Sequence, residues 1–234
     1  MTVPSTLSIR EIKMAYKDFS VAELFRGLDT AGVSDALDKL GLPGQCYDVM
    51  PLDNYKTTTV GLAYTVRYEP SGHPPGTVGD FIDDVPAGYF VVIDNNGRID
   101  CTVWGDIMTQ VAGMKGIAGT VIDGVCRDVH KALGDGYPMF TKGRFMRTGK
   151  DRVQVSSVNQ PVSIGGVRVE PGDVVVADAS GVVIVPRAKA EDVARVAHDI
   201  EKTESQIRKA LAEGKALRQA REELGYHLLQ RKLS

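Results

Sequence analysis

Apolar residues along the chain recur in two periods, and the switches between them predict the order of the elements. Val21, Leu24, Phe25 and Leu28 fall three or four apart, so a helix capped by Ser20 is expected to run to about Thr30. A second helix is expected from a cap at Ser34 or Asp35 to the stop at Gly41-Leu42-Pro43-Gly44. Val60 to Tyr68 reads as a strand. Glu69 to Gly79 (EPSGHPPGTVG) is a loop too rich in turn residues for regular structure, and residues 80–85 form a short helix. Gly88 to Asp94 (GYFVVID) is a buried strand, with Asn95-Asn96-Gly97 as a hairpin-like turn. Ile107, Val111 and Met114 then share a helical face, Gly116 and Gly119 end that helix, and Thr120-Val121-Ile122 is a short buried strand before a turn at Gly124.

Past Asp128 the pattern predicts a short helix over Val129–Leu133, closed by Gly134 and Gly136, and an extended segment from Tyr137. Five β-branched runs follow, beginning at Val153, Val162, Val167, Val174 and Val182, with a tight hairpin at Gly165-Gly166 and a turn at Pro171-Gly172-Asp173. Ala188 to Ala212 is a long helix whose stripe holds Val193, Val196, Ile200, Ile207 and Leu211. Glu204 falls on that stripe, where a carboxylate is either paired or marks a site. Leu217 to Leu233 is a second helix or a frayed tail. Mixed short strands, a central helix and a long last helix indicate an α/β fold.

Composition narrows the function classes. The 234 residues suit one large domain or a domain with a helical appendage, and a net charge of −2 provides no basic field for nucleic acid. No run is long and apolar enough for a membrane span, and MTVPSTLSIREIK lacks a signal peptide's apolar core. Cys46, Cys101 and Cys126 form no CxxC pair, so they are expected as free thiols in a reducing cytoplasm.

The chemistry concentrates between Trp104 and Asp128. Gly105-Asp106 opens a helix at a strand exit, where unpaired backbone N–H groups make an anion pocket. Arg127, from a neighbouring strand, offers a planar fork for a carboxylate, and Asp128 and Asp106 are hard oxygen donors suited to Mg²⁺ or Mn²⁺. The plainer alternative is a first-turn or N-cap acid at Asp106 and a surface Arg127–Asp128 pair. Trp104 is either core packing or a wall of the pocket. His73, in the Pro-Gly loop, is either exposed or a substrate contact.

Asp106, twenty intervening residues and then Arg127-Asp128 resembles the D-x20-R-D signature of class II pyruvate aldolases in the RraA-like superfamily. Their best-known members are 4-hydroxy-4-methyl-2-oxoglutarate and 4-carboxy-4-hydroxy-2-oxoadipate aldolases. The resemblance extends from about residue 20 to 215, through Val33-Ser34-Asp35-Ala36-Leu37, Gly61 to Val66, Pro171-Gly172-Asp173, Ala177-Asp178 and Gly181 to Pro186. It implies a layered swivelling β/β/α domain over 20–187, an N-terminal arm over 1–19, and C-terminal helices over 188–234 that pack on the domain or on a neighbouring subunit. It also implies a homotrimer or homohexamer with sites between subunits.

The resemblance further implies roles. Asp128 would hold Mg²⁺ or Mn²⁺, directly or through water, and Asp106 would orient a coordinated water that serves as base. Arg127 would bind the keto oxygen of a 2-oxo acid, and the amides of Gly105, Asp106, Ile107 and Met108 would take its carboxylate. Glu204 would reach a neighbouring subunit's site. The expected reaction is retro-aldol cleavage to pyruvate, with oxaloacetate decarboxylation as companion. The sequence departs from the family in one place: Lys131 stands where an acid is common, with His130 as a substitute ligand to be tested. A second implied class is the non-enzymatic regulator of ribonuclease activity, whose members lack the acid after the arginine. Methyltransferase chemistry has no glycine-rich nucleotide motif behind it.

Overall fold

The computed structural model of the chain describes residues 19–226 and 229, so the arm expected over 1–19 lies outside the described residues except for Phe19. Helices α1 (Ser20–Glu23) and α2 (Thr30–Leu40) come first, then strands β1 (Met50–Pro51) and β2 (Thr59–Pro70). After a 3-10 turn over Asp80–Asp84 come β3 (Tyr89–Thr102), α3 (Asp106–Lys115), β4 (Gly119–Cys126), α4 (Val129–Asp135) and β5 (Met139–Arg144). Five short strands follow: β6 (Val153–Val158), β7 (Val162–Ile164), β8 (Val167–Val169), β9 (Val174–Asp178) and β10 (Gly181–Val185). The chain then runs into α5 (Ala190–Ala212) and α6 (Leu217–Glu223).

The main sheet has the order β1-β5-β4-β3-β2-β9-β10. Its centre, β2 to β5, is parallel. The first half of β2 pairs antiparallel with β9 and its second half with β6. Strands β7 and β8 form a separate hairpin. Alternate residues of the central strands face opposite layers, as the pleat requires. Leu62, Tyr64, Val66, Tyr89, Val91, Ile93 and Ile122 join the helices in one core. Ala63, Phe90, Val92, Val121 and Phe140 join Val162, Ile164, Val167 and Val169 of the hairpin in the other. The result is a β/β/α stack, the layered architecture implied by the resemblance. Each large side chain so buried contributes about 1.5–3 kcal/mol over an exposed position.

Two carboxylates at paired positions hold the hairpin layer down. Asp94 and Asp123 are partners in the β3–β4 register, and they accept the backbone N–H groups of Ser163 and Gly165, each at 3.2 Å. Arg67 lies 3.6 Å from Asp94 and Lys142 lies 3.4 Å from Asp123, so both acids keep a countercharge as the layer closes over them. On the opposite layer α5 packs on α2, with Val193, Val196 and Ile200 in the core. The C-terminal extension is therefore part of this chain's own core through the first half of α5, Ala190 to Ile200. Beyond Tyr226 most of the expected last helix lies outside the described residues.

Several local expectations are corrected. The first helix stops at Glu23 rather than near Thr30, with Gly27 at φ +83° in the turn behind it, and its N-cap is Phe19, not Ser20. The second helix begins at Thr30, one turn before Ser34, capped by Asp29 accepting from the N–H of Gly32 at 2.8 Å. Asn95-Asn96-Gly97 is not a hairpin: Asn96 and Gly97 have φ of +53° and +66°, but the three residues form a bulge inside β3, which continues to Thr102 beside β4. Gly124 is likewise no turn. It lies within the fully buried β4, where a Cβ would sit 3.1 Å from the Arg98 carbonyl on that bulge. On α3 the core takes Thr109 and Ala112, and Ile107 and Met114 are 74% and 81% exposed. Helix α4 runs through Gly134 to Asp135, with Gly136 as its left-handed cap. Cys101 and Cys126 are buried free thiols; Cys46 is partly buried and free, and its burial pushes its pKa up to about 12.

The start of α2 is held by a residue 148 positions along the chain. Asp178, at the end of β9, accepts the Thr30 N–H at 2.9 Å, the Thr30 hydroxyl at 2.7 Å and the Ser180 N–H at 2.8 Å. Asp178→Ala strands buried donors and is expected to cost about 3 kcal/mol, whereas Asp29→Ala, an exposed cap, costs about 1 kcal/mol. Urea unfolding of the two variants checks this ordering, and equal losses contradict it.

Candidate active site

The site begins where β3 and β4 leave the C-terminal edge of the parallel sheet, the place at which open α/β sheets collect ligands. The two exits are tied together. The Arg127 N–H donates to the Trp104 carbonyl at 2.9 Å, and the Thr102 hydroxyl lies 2.9 Å from that carbonyl and 3.1 Å from the carbonyl of Val125. Trp104 is nearly buried. Its indole N–H donates to the Thr109 hydroxyl at 3.0 Å, and its ring stacks on Tyr137 at 6.3 Å between centroids. It packs in the core and also lines the cleft, so both readings left open for it hold.

Gly105, the N-cap of α3, lies between these anchors. A Cβ built on it would stand 2.8 Å from Asp128 Oδ2 and 3.4 Å from Arg127 Nε. The two side chains thus close over a bare α-carbon, with Arg127 Nε 3.3 Å from Asp128 Oδ2. Asp128 occupies the N-cap position of α4 with φ +52°, a left-handed conformation that costs an aspartate roughly 1 kcal/mol. Its carboxylate makes no cap hydrogen bond and turns instead toward Gly105 and Arg127. Asp106 uses one oxygen locally, accepting the Ile107 N–H at 2.8 Å, so that amide is not free for an anion.

The resulting cleft has a volume of about 220 Å³. Gly105, Asp106, Ile107, Met108 and Arg127 line it on one side. Val78 and Gly79 from the loop after β2, with Thr148 and Gly149 from the connection after β5, close it elsewhere. None of these last four is legible as a site residue in the sequence. Gly149 carries a signal in retrospect, because a Cβ there would fall 2.3 Å from the Thr102 carbonyl. A larger cleft of about 370 Å³ lies between β2 and the β3 bulge, but its Arg67 and Arg98 already face Asp94 and Asp100. The smaller cleft is the stronger candidate because Arg127 and a helix N-terminus converge there.

Other expected residues lie elsewhere. Glu204 stands on α5, 3.4 Å from Arg208, and does not line this chain's cleft. Lys131 pairs with Asp135 one helical turn on. His130 and His73 are exposed and do not line the cleft, although His73's loop supplies Val78 and Gly79. Among the described residues no three His, Cys, Asp or Glu side chains form a metal-holding cluster. Asp106 lines the cleft; Asp128 does not line it but lies beside it, against Gly105 and Arg127, and these two carboxylates are the donors on hand. An all-oxygen set with one or two carboxylates fits a hard cation that keeps several waters and does not suit a tetrahedral zinc site.

Comparison with known proteins places the chain in a family. The chain is 40% identical over 201 residues to the protein DlpA of Legionella pneumophila, covering 85% of this chain and about a third (32%) of that longer protein. It is 35% identical to a Halalkalibacterium halodurans protein provisionally named 4-hydroxy-4-methyl-2-oxoglutarate aldolase, covering 77% of this chain and 83% of the relative. A crystal structure of an uncharacterized Pseudomonas syringae protein superposes with a TM-score of 0.80 at 44% identity, covering 87% of this chain and 98% of that one. Streptomyces coelicolor RraAS2, described as an unusual member of the RNase ES inhibitor RraA family, superposes with a TM-score of 0.74 at 27% identity, covering 80% and 95%. The family model for RraA-like proteins (Aldolase/RraA) matches residues 30–184, which hold every strand of the main sheet but the last residue of β10, and the chain belongs to that family.

Proposed function

We propose that this protein is a divalent-metal-dependent aldolase that cleaves a 4-hydroxy-2-oxo acid to pyruvate and a second oxo compound. One observation carries the proposal: Arg127 and Asp128 close over the bare α-carbon of Gly105 at the mouth of a cleft that the N-terminus of α3 faces. The relatives named for this activity support it.

The chain's own groups divide the work. The substrate carboxylate sits at the start of α3, where the helix dipole and the amides of Gly105 to Met108 other than Ile107 favour negative charge. Arg127 meets Asp128 through Nε. Its two terminal nitrogens are directed to the keto oxygen, where they stabilise the enolate charge that grows as the C3–C4 bond breaks. Asp128 would hold Mg²⁺ or Mn²⁺, with Asp106 as a second oxygen donor. When bound, the ion supplies Lewis-acid stabilisation of the same developing charge. The proton of the 4-hydroxyl passes to a water held by the free oxygen of Asp106. Val78, Val103 and Met108 limit water around the reacting carbons. Loss of CO₂ from oxaloacetate yields the same pyruvate enolate, so decarboxylation accompanies aldol cleavage.

The assembly is proposed as a homotrimer or homohexamer in the cytoplasm, with no nucleic-acid or membrane partner. No helix among the described residues is long and apolar enough to cross a membrane. Ile107 lines the cleft yet is 74% exposed in the single chain, and Met114, two turns along the same face, is 81% exposed. A neighbouring subunit over that face would complete the cleft and could bring its own Glu204, released from Arg208. The second reading, a non-enzymatic regulator that binds a protein partner, draws on the likeness to RraAS2. Asp128 beside Arg127 favours the enzyme.

Mg²⁺ or Mn²⁺ is expected to support both aldol cleavage and oxaloacetate decarboxylation, and EDTA to abolish them; full activity after exhaustive chelation contradicts the mechanism. Arg127→Ala is expected to lower kcat by about 10²–10³-fold, the cost of losing a charge-stabilising donor. Asp128→Asn is expected to eliminate turnover while leaving Tm unchanged or slightly raised, because asparagine tolerates the left-handed backbone. A parallel fall in Tm would assign Asp128 a structural role instead.

A further inference from the structure

We propose that Gln154 is a positioning residue for the candidate cleft, setting its outer wall by holding the 71–79 loop against β6 through both ends of its side-chain amide. The inference rests on this cleft being the catalytic one.

The loop connects β2 to the 3-10 turn and supplies Val78 and Gly79 to the cleft. Its two ends are tied to β6 and its approach by backbone: Ser71 N–H to the Arg152 carbonyl and Val155 N–H to the Thr77 carbonyl, each 3.0 Å. Between those ties one atom holds it. Gln154 Oε1 accepts the Gly72 N–H at 2.9 Å and the Gly76 N–H at 3.0 Å. The other end of the amide, Nε2, donates to Glu69 Oε1 at 2.9 Å, across the β2–β6 pair in which Glu69 and Gln154 are register partners. Tyr68 donates its hydroxyl to the Val78 carbonyl, and a Cβ at Gly79 would lie 2.9 Å from Met108 Sδ. The loop therefore abuts α3, and its position decides how close Val78 comes to the substrate.

The side-chain chemistry is specific. A glutamine accepts twice on one side and donates to a carboxylate on the other. Leucine would do neither. A glutamate would still accept the two glycine amides but would set a second carboxylate against Glu69, and like charges at that distance repel. The loop is packed for this partner as well, since a Cβ at Gly76 would meet Gln154 Cβ at 3.2 Å.

The test uses the full chain with Mg²⁺ and 4-hydroxy-4-methyl-2-oxoglutarate. Q154A and Q154E are expected to raise KM about fivefold, the size of one net hydrogen bond, with kcat within about twofold of wild type. The swap Q154E/E69Q, which restores one donor and the acceptor pair, is expected to recover the wild-type KM. A wild-type KM in Q154A, or a double variant no better than Q154E, overturns the proposal. If the wild-type chain cleaves no 4-hydroxy-2-oxo acid, the proposed function fails on its own, and amide hydrogen exchange then decides the clamp. Faster exchange at Gly72, Gly76 and Gly79 in Q154A upholds it, and unchanged exchange overturns it.

Discussion

A close approach that a side chain would forbid underlies the whole candidate site. Arg127 and Asp128 come within van der Waals distance of the space a Cβ would fill at Gly105. That approach exists because two strand exits are tied at the same level of the sheet by the Arg127 N–H to Trp104 carbonyl bond. Thr102, Thr109 and Tyr137 then fix the Trp104 backbone and ring. A guanidinium, a carboxylate and a helix N-terminus are thereby gathered with little freedom left, which is what preorganised charge stabilisation requires. The left-handed Asp128 fits the same account: its conformational cost is accepted where it turns a carboxylate toward Gly105 and Arg127 rather than toward the helix it precedes.

The layers around the site have a division of labour. The parallel centre places both strand exits on one edge, and the β7–β8 hairpin covers the opposite face through Asp94 and Asp123. The helices, with α5 contributing to the core, complete the stack. The rim of the cleft comes from connections instead, the 71–79 loop and the segment around Thr148, where chemistry varies at small cost to the fold. Gln154 links these two levels, since a strand residue governs a loop that forms a wall.

Much of the architecture was legible in the residues because burial and period agree there. The β-branched runs are strands, the long final stripe is α5, and the Gly105–Asp106 opening is a helix start. The failures share a physical cause: a local signal states a backbone conformation but not its partner. Asn96 and Gly97 do take positive φ, yet in a parallel sheet that makes a bulge rather than a hairpin. Ile107 and Met114 do share a helical face, yet periodicity cannot say whether a core or solvent lies opposite it. Helix α2 starts one turn early because its N-terminus is met by Asp178, 148 residues away. The walls at Val78 and Gly149 and the bonds of Gln154 to Gly72 and Gly76 are likewise pairings across the fold, with no signature in any one stretch. The Arg127-Asp128 pair was readable from residue chemistry as a cation beside a carboxylate, and its spacing from Asp106 added the likeness to a family signature.

The central claim is that Asp128 and Arg127 together make a cation-assisted seat for a 2-oxo acid head at the start of α3. Calorimetric titration with oxalate, which mimics the pyruvate enolate, tests this most directly. Oxalate is expected to bind when Mg²⁺ or Mn²⁺ is present, to bind far more weakly in EDTA, and to lose the metal-dependent part of its affinity in Asp128→Ala. Equal binding with and without the cation, or none under either condition, would contradict the account.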